Sequence, residues 1–138
     1  MASASHLAEL EITGSDVVAA WNALEPAVAQ CAGSLGSPVT KSNYQVGQSD
    51  DEASVAGADL ADCVDRVQSP ALISVTYTTK SSADPEPRSI ELRLMRYRRF
   101  KELSVHLRVA GPQNLQTLGL FDRTEKALAE AIGRFGGS

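Results

Sequence analysis

The stretch from Ser89 to Val109, SIELRLMRYRRFKELSVHLRV, contains two runs in which apolar and polar residues alternate. This alternation is typical of β-strands that bury one face and expose the other. The predicted buried positions are Ile90, Leu92, Leu94, Leu103, Val105, Leu107 and Val109. A short basic segment separates the runs and must reverse the chain. The sequence therefore predicts an antiparallel hairpin, with Arg98, Arg99 and Lys101 exposed near its tip.

The register of this hairpin can be proposed from the alternation. We expect Leu92 to lie opposite Val105, which sets Glu91 opposite His106 as a charged cross-strand pair. We interpret this pair as structural, with a catalytic acid–base role for His106 as the alternative.

The first half of the chain predicts a strand, a helix and a second strand. Residues 6–13, HLAELEIT, alternate as a half-buried strand. Asp16 can cap a helix whose buried stripe contains Val17, Trp21, Leu24, Val28 and Cys31. Pro26 predicts either a kink or a break after Glu25. Residues 33–38, GSLGSP, end the helix, and residues 39–46 form a weak strand.

A second helix is expected after the turn at residues 47–52, GQSDDE. Ser49 or Asp50 would cap it, and Asp51 and Glu52 would lie near the positive end of its dipole. Its predicted buried stripe is Ala53, Ala56, Leu60, Cys63 and Val67.

The remaining elements are a strand, a loop and a third helix. Residues 71–80, ALISVTYTTK, alternate strongly, and residues 81–89, with two prolines, predict an exposed mobile loop. Asn114 or a residue near Thr117 begins the last helix. Its predicted buried stripe is Leu118, Phe121, Leu128, Ile132 and Phe135. The predicted fold is α+β in the order β-α-β-α-β-β-β-α, a mostly antiparallel sheet with helices on one face.

Length and composition fit one soluble domain. The chain has 138 residues, of which 43% are hydrophobic and 22% charged. We expect one domain over residues 1–135, with residues 136–138 a linker or a fragment boundary. No signal peptide and no membrane-spanning apolar run are predicted, which favours the cytoplasm.

No catalytic, cofactor or metal motif stands out. The sequence lacks G-x-S-x-G, H-E-x-x-H, Walker and dinucleotide-binding patterns. Cys31 and Cys63 are far apart and predict buried, reduced thiols rather than metal ligands. We therefore expect a non-catalytic domain without cofactor or metal.

The fold predicts a polar surface, which is either simply the solvated face of an antiparallel sheet or a surface that binds a partner or an anionic ligand. The face opposite the helices would carry Ser74, Thr76, Thr78, Glu91, Arg93, Ser104, His106 and Arg108, which we call the polar sheet face. Arginine donates two parallel hydrogen bonds to a carboxylate, and histidine changes charge near neutral pH. The predicted partner-binding residues are Arg93, Arg96, Arg98, Arg99, Lys101, His106 and Arg108.

The charge distribution suggests what these residues bind. Residues 1–87 hold 12 acidic and 3 basic residues, whereas residues 88–138 hold 5 and 10. An acidic protein partner, or weak self-association between acidic and basic patches, would use this asymmetry. We therefore expect a protein-interaction or regulatory domain.

Nucleic-acid binding through the same hairpin is the main alternative, because Tyr97 and Phe100 interleave with the basic residues. The predicted open face lacks the aromatic residues on which RNA-binding sheets stack bases, and the net charge of −4 also opposes it. A small-ligand-binding domain is the third alternative.

Overall fold

A computed structural model of the chain describes residues 3–14, 16–34, 39–48, 54–67, 69–81, 84–96 and 102–136. The predicted tip residues Arg98, Arg99 and Lys101 lie outside these ranges. The elements are β1 (Ser3–Thr13), α1 (Val17–Gly33), β2 (Val39–Lys41), β3 (Tyr44–Gly47), β4 (Val55–Gly57), α2 (Leu60–Asp65), β5 (Leu72–Ser81), β6 (Asp84–Arg96), β7 (Glu102–Pro112) and α3 (Leu115–Gly136).

The strands form one antiparallel sheet, and the predicted α+β class is confirmed. Within the described ranges seven strands pair in the order β1-β7-β6-β5-β3-β4, with β2 also paired to β5. The first strand of the chain thus lies beside β7, the last. The weak strand predicted over residues 39–46 is present as β2 and β3.

One face of the sheet is buried beneath the helices. Side chains such as Trp21 and Leu24 of α1, and Leu120 and Leu128 of α3, are fully buried. They pack with the inward residues of the strands, including the predicted Leu92 and Leu107. The alternation of β1, β5, β6 and β7 therefore agrees with its predicted phase.

The helix α1 is continuous through Pro26, so of the two predicted alternatives, a kink or a break after Glu25, the break is wrong. Asp16 caps the helix as predicted, since its Oδ1 accepts a hydrogen bond from the Ala19 amide at 3.0 Å. Pro26 lies on the exposed side, while Leu24 and Val28 are buried. Burial on both sides of the proline holds the helix together although one backbone hydrogen bond is lost.

The predicted second helix is wrong in its first half. Residues 55–57 form β4, which pairs with β3, and α2 begins only at Leu60. Asp59, rather than Ser49 or Asp50, caps it, and Ala56 is exposed. Backbone pairing with a neighbouring strand outweighed the weak helical spacing of alanines. Asp51 and Glu52 lie outside the described residues.

The predicted loop over residues 81–89 is also wrong. The strand β6 begins at Asp84, and Ser81 pairs with Asp84 in a tight hairpin. Pairing of β6 with β7 begins only at Ser89, so Pro85 and Pro87 lie where β6 has a neighbour on one side. Prolines are tolerated at such edge positions because one side of the backbone need not donate.

The predicted register of the β6–β7 hairpin is wrong by two residues. Leu92 lies opposite Leu107, Glu91 opposite Arg108, and Arg93 opposite His106. A shift of two keeps every side chain on its own face, so the alternation alone could not select the register.

The third helix begins where Asn114 accepts a hydrogen bond from the Thr117 amide at 3.0 Å, which confirms one predicted cap. Leu118 is 39% exposed rather than buried, because Thr117, Leu120 and Thr124 occupy the buried side of this turn.

Both cysteines are free, with Cys63 buried and Cys31 only half-buried. None of the helices in the described ranges is both long and apolar enough to cross a bilayer.

Candidate functional site

The polar sheet face lies on the side of the sheet opposite α1 and α3. Its eight predicted residues alternate with buried residues of β5, β6 and β7. Arg93 and Arg108 are exposed, His106 is half-buried and Ser104 is buried. The sheet therefore brings Arg93, His106 and Arg108 together as the alternation predicted.

Pairing across the strands arranges this face as two rows. In one row Arg93 lies opposite His106, which in turn lies opposite Glu9 of β1. In the other row Glu91 lies opposite Arg108, which lies opposite Leu7. Directly opposite residues on one face approach within about 4.5–5.5 Å at Cβ, so each row can contact a single ligand segment.

The two rows enclose a shallow cavity of about 390 Å³ that opens to solvent. Its lining combines charged donors and acceptors with apolar surface. The residues around it are Leu7, Ala8, Glu9, Glu91, Arg93, Met95, His106, Leu107 and Arg108. A pocket with a few polar groups converging on apolar walls is the usual form of a binding site.

Ser104, His106 and Glu9 form a hydrogen-bonded cluster beside the cavity. Ser104 Oγ is 2.9 Å from His106 Nε2 and 3.4 Å from Glu9 Oε1, to which the hydroxyl donates. Glu9 Oε1 is 3.9 Å from the same Nε2. In a serine hydrolase the carboxylate contacts the other ring nitrogen, Nδ1, and the serine contacts Nε2. The cluster therefore lacks the geometry that activates a serine nucleophile.

Arg93 is the donor of this face that remains available. Within the described ranges its guanidinium makes no hydrogen bond or ion pair, and Glu91 likewise has none. Arg108 donates to Ser5 Oγ at 3.3 Å instead of pairing with Glu91 opposite. An arginine without a partner, beside apolar surface, can bind an external carboxylate.

The described charges on this face are of both signs. Four carboxylates, those of Glu9, Glu11, Glu91 and Glu102, share this face with the two guanidinium groups of Arg93 and Arg108. Glu9 and Leu7 were not predicted to belong to the site. They reach it because β1 pairs with β7, and no local sequence pattern reveals a pairing between distant ends of a chain.

Arg96 does not belong to the polar sheet face. It follows Leu92 and Leu94 on the helix-covered side of β6. There it lines a smaller cavity of about 250 Å³ with Asp16, Val17, Ser69 and others near the start of α1. The two cavities therefore lie on opposite sides of the sheet, and the predicted partner-binding residues do not form one continuous site.

A second polar cluster lies beside the middle of α1. Glu25 accepts hydrogen bonds from Trp21 Nε1 at 3.0 Å and from Tyr44 OH at 2.8 Å, and Lys41 donates to the same hydroxyl. Burial, and next the hydrogen bond to Glu25, raise the pKa of Tyr44 above its ordinary value. Burial, with Glu25 adding to it, raises the pKa of Tyr77 to about 12. These contacts join α1 to the sheet.

Within the described residues, no three histidine, cysteine, aspartate or glutamate side chains are grouped to hold a metal ion. No family model matches the chain, and no curated protein matches it by sequence. The geometry of the polar sheet face is therefore the basis for a proposal about function.

Proposed function

We propose that the chain is a non-catalytic protein-interaction domain that binds a segment of a partner protein on the polar sheet face. The observation that carries the proposal is that Arg93, in the lining of the 390 Å³ cavity, has no hydrogen-bond or ion-pair partner among the residues that the structure describes. Arginines in partly apolar surroundings contribute strongly to protein interfaces. A carboxylate of the partner would accept from Arg93, and apolar partner atoms would contact Leu7 and Met95.

The mixed charges favour a protein partner over a nucleic acid. A phosphate backbone would meet the four carboxylates of this face, whereas a polypeptide can present acidic and basic groups in matching positions. The partner would supply acidic side chains to Arg93 and Arg108, and a donor to Glu91. Such a surface suits a regulatory or adaptor module. We place the domain in the cytoplasm, where its two free cysteines would stay reduced.

The experiment compares capture of partners from the native cell by three forms of the chain. The Arg93→Glu/Arg108→Glu variant reverses both arginines of the face. The matched control, Arg123→Glu/Lys126→Glu, reverses two exposed cations on α3 and changes the net charge equally. Each exposed substitution should alter the free energy of unfolding by less than about 0.5 kcal/mol. Circular dichroism checks that all three forms fold.

The proposal is supported if a protein remains bound after nuclease treatment and only the face variant fails to capture it. Equal loss in both variants would instead indicate nonspecific charge attraction and would contradict it. Loss of a nuclease-sensitive ligand with steep salt dependence would replace it with nucleic-acid binding. An Arg98→Glu/Arg99→Glu variant, tested alongside, measures whether the predicted hairpin tip takes part.

A further inference from the structure

The strand β1 is a long edge of the sheet. It spans 11 residues and, of the strands that the structure describes, pairs only with β7, whereas β4, at the opposite edge, has three residues. Along the outer side of an edge strand, backbone amides and carbonyls are free to pair with another strand. Among the strands in the described ranges, β1 therefore offers the longest template for adding one.

The side chains of β1 divide into two different halves around Leu7. On the outer face Ser3 and Ser5 precede Leu7, and Glu9 and Glu11 follow it. The Leu7 side chain is 72% exposed in the middle of the strand. An exposed leucine on an unpaired edge is the kind of surface that another strand covers.

We propose that β1 pairs antiparallel with β1 of a second copy of this chain, with the two Leu7 side chains opposite each other. A two-fold axis perpendicular to the sheet relates the copies, so the same face of each strand continues into the other. Each Glu9 then lies opposite a Ser5, and each Glu11 opposite a Ser3. The two halves of β1 complement each other without placing carboxylates side by side.

Other symmetric registers are less complementary. Centring the pair on Glu9 places two carboxylates directly opposite each other, which destabilises a strand pair. Centring it on Ala8 places each Glu9 opposite an apolar Leu7 and brings the two Glu9 carboxylates onto a diagonal. The Leu7 register alone matches apolar with apolar and charge with hydroxyl.

The helix α3 provides a second, independent reason for a strand at this edge. His6 of β1 stacks on Phe121 with ring centroids 5.4 Å apart, so this side of α3 lies under the edge. One turn earlier Leu118 is 39% exposed, and at the start of the helix Leu115 is 83% exposed. A strand added beside β1 would project inward side chains over this apolar surface and cover it.

Sedimentation of the full chain over about a hundredfold range of concentration tests the pairing, since dimers form by mass action. We expect a dimer that persists at high salt, because strand pairing and apolar contact are screened little. Leu7→Asp places like charges opposite each other and should raise the dissociation constant about tenfold or more. The control Val39→Asp, at an exposed position on β2, should leave it unchanged.

A monomer at every concentration would overturn the proposal. So would a dimer that dissociates in salt and is indifferent to Leu7→Asp, because that behaviour belongs to association between charged patches. Leu7 borders both surfaces. Sedimentation of the chain alone contains no partner protein, however, and Leu7→Asp leaves Arg93 and Arg108 unchanged, so neither outcome decides whether these arginines bind a partner. The two proposals can therefore fail separately.

Chemical cross-linking tests the register directly, in a Cys31→Ala background. With a short bis-maleimide reagent, to whose two rings cysteine thiols add, Leu7→Cys should form a covalent dimer, and so should the double variant Ser5→Cys/Glu9→Cys. The single variant Glu9→Cys should not, because its nearest counterpart is a serine. A covalent dimer from Glu9→Cys alone, with none from Leu7→Cys, would contradict the Leu7 register.

Discussion

Arg93 and His106 lie directly opposite each other on β6 and β7, yet no hydrogen bond or ion pair joins Arg93 to any described residue. On its other side His106 faces Glu9, and Ser104 links the two by hydrogen bonds. The cluster keeps the Glu9 carboxylate on the β1 side of the face. This arrangement leaves Arg93 available to a carboxylate from outside.

Replacing Gly111 with alanine should destabilise the protein. A Cβ atom there would lie 2.8 Å from Cγ of Arg88 and 3.2 Å from Oγ1 of Thr117. Arg88 is buried and donates to Thr117 and Gln116 at the start of α3, so it cannot easily move. Gly111→Ala should lower the free energy of unfolding by about 1–3 kcal/mol, measured by urea denaturation.

Gly119→Ala is the matched control for that substitution. Gly119 lies inside α3, and nothing stands within 4 Å of the position its Cβ would occupy. Alanine there should raise stability by about 0.5–1 kcal/mol because it restricts the unfolded chain. If Gly111→Ala raised stability as Gly119→Ala is expected to do, the close packing around Arg88 would be refuted.

Pro26→Ala should stabilise the protein. Pro26 is exposed inside the continuous helix α1, where proline removes one backbone hydrogen bond. Part of the gain is offset because the unfolded chain has more conformational freedom with alanine than with proline. The net increase in the free energy of unfolding should be about 1–3 kcal/mol. Thermal unfolding measures it, with Gln30→Ala as a control at an exposed site in the same helix. A lower melting temperature for Pro26→Ala would mean that the proline ring itself supports the packing.

Alkaline stability should depend on Tyr77. Burial raises its pKa from an ordinary value near 10 to about 12, so the folded state disfavours the phenolate. The stabilisation is complete below pH 10 and is lost as the pH rises through 12. In Tyr77→Phe the fall in melting temperature between these pH values should be smaller, while Tyr44 contributes the remainder. An identical fall in both proteins would show that Tyr77 ionises without affecting folding.

Much of the fold could be predicted because alternation is a local signal. Burial of Ile73, Leu92, Leu94 and Val105 follows directly from period-two spacing, and the site residues Arg93 and His106 follow from the complementary phase. The same signal is unchanged by a shift of two residues, so it could not set the hairpin register. The register of two hairpin strands depends on the length of the turn that joins them, and the alternation does not report that length.

The remaining errors arise from contacts between distant residues. The pairing of β1 with β7 brings Leu7 and Glu9 to the cavity from the opposite end of the chain. Residues 55–57 become a strand only because β3 lies beside them. Neither contact has a local pattern, and so both could be found only in the folded structure.

Site-specific photo-cross-linking in the native cell shows directly whether a partner protein binds the polar sheet face. A photoreactive residue at Thr76, beside Glu91 on the polar sheet face, would be compared with one at Gln30, exposed on α1. We expect a cross-linked protein from position 76 that remains after nuclease treatment and disappears when Arg93 and Arg108 are replaced by glutamate. Cross-links of equal yield from position 30, or none from position 76, would contradict it.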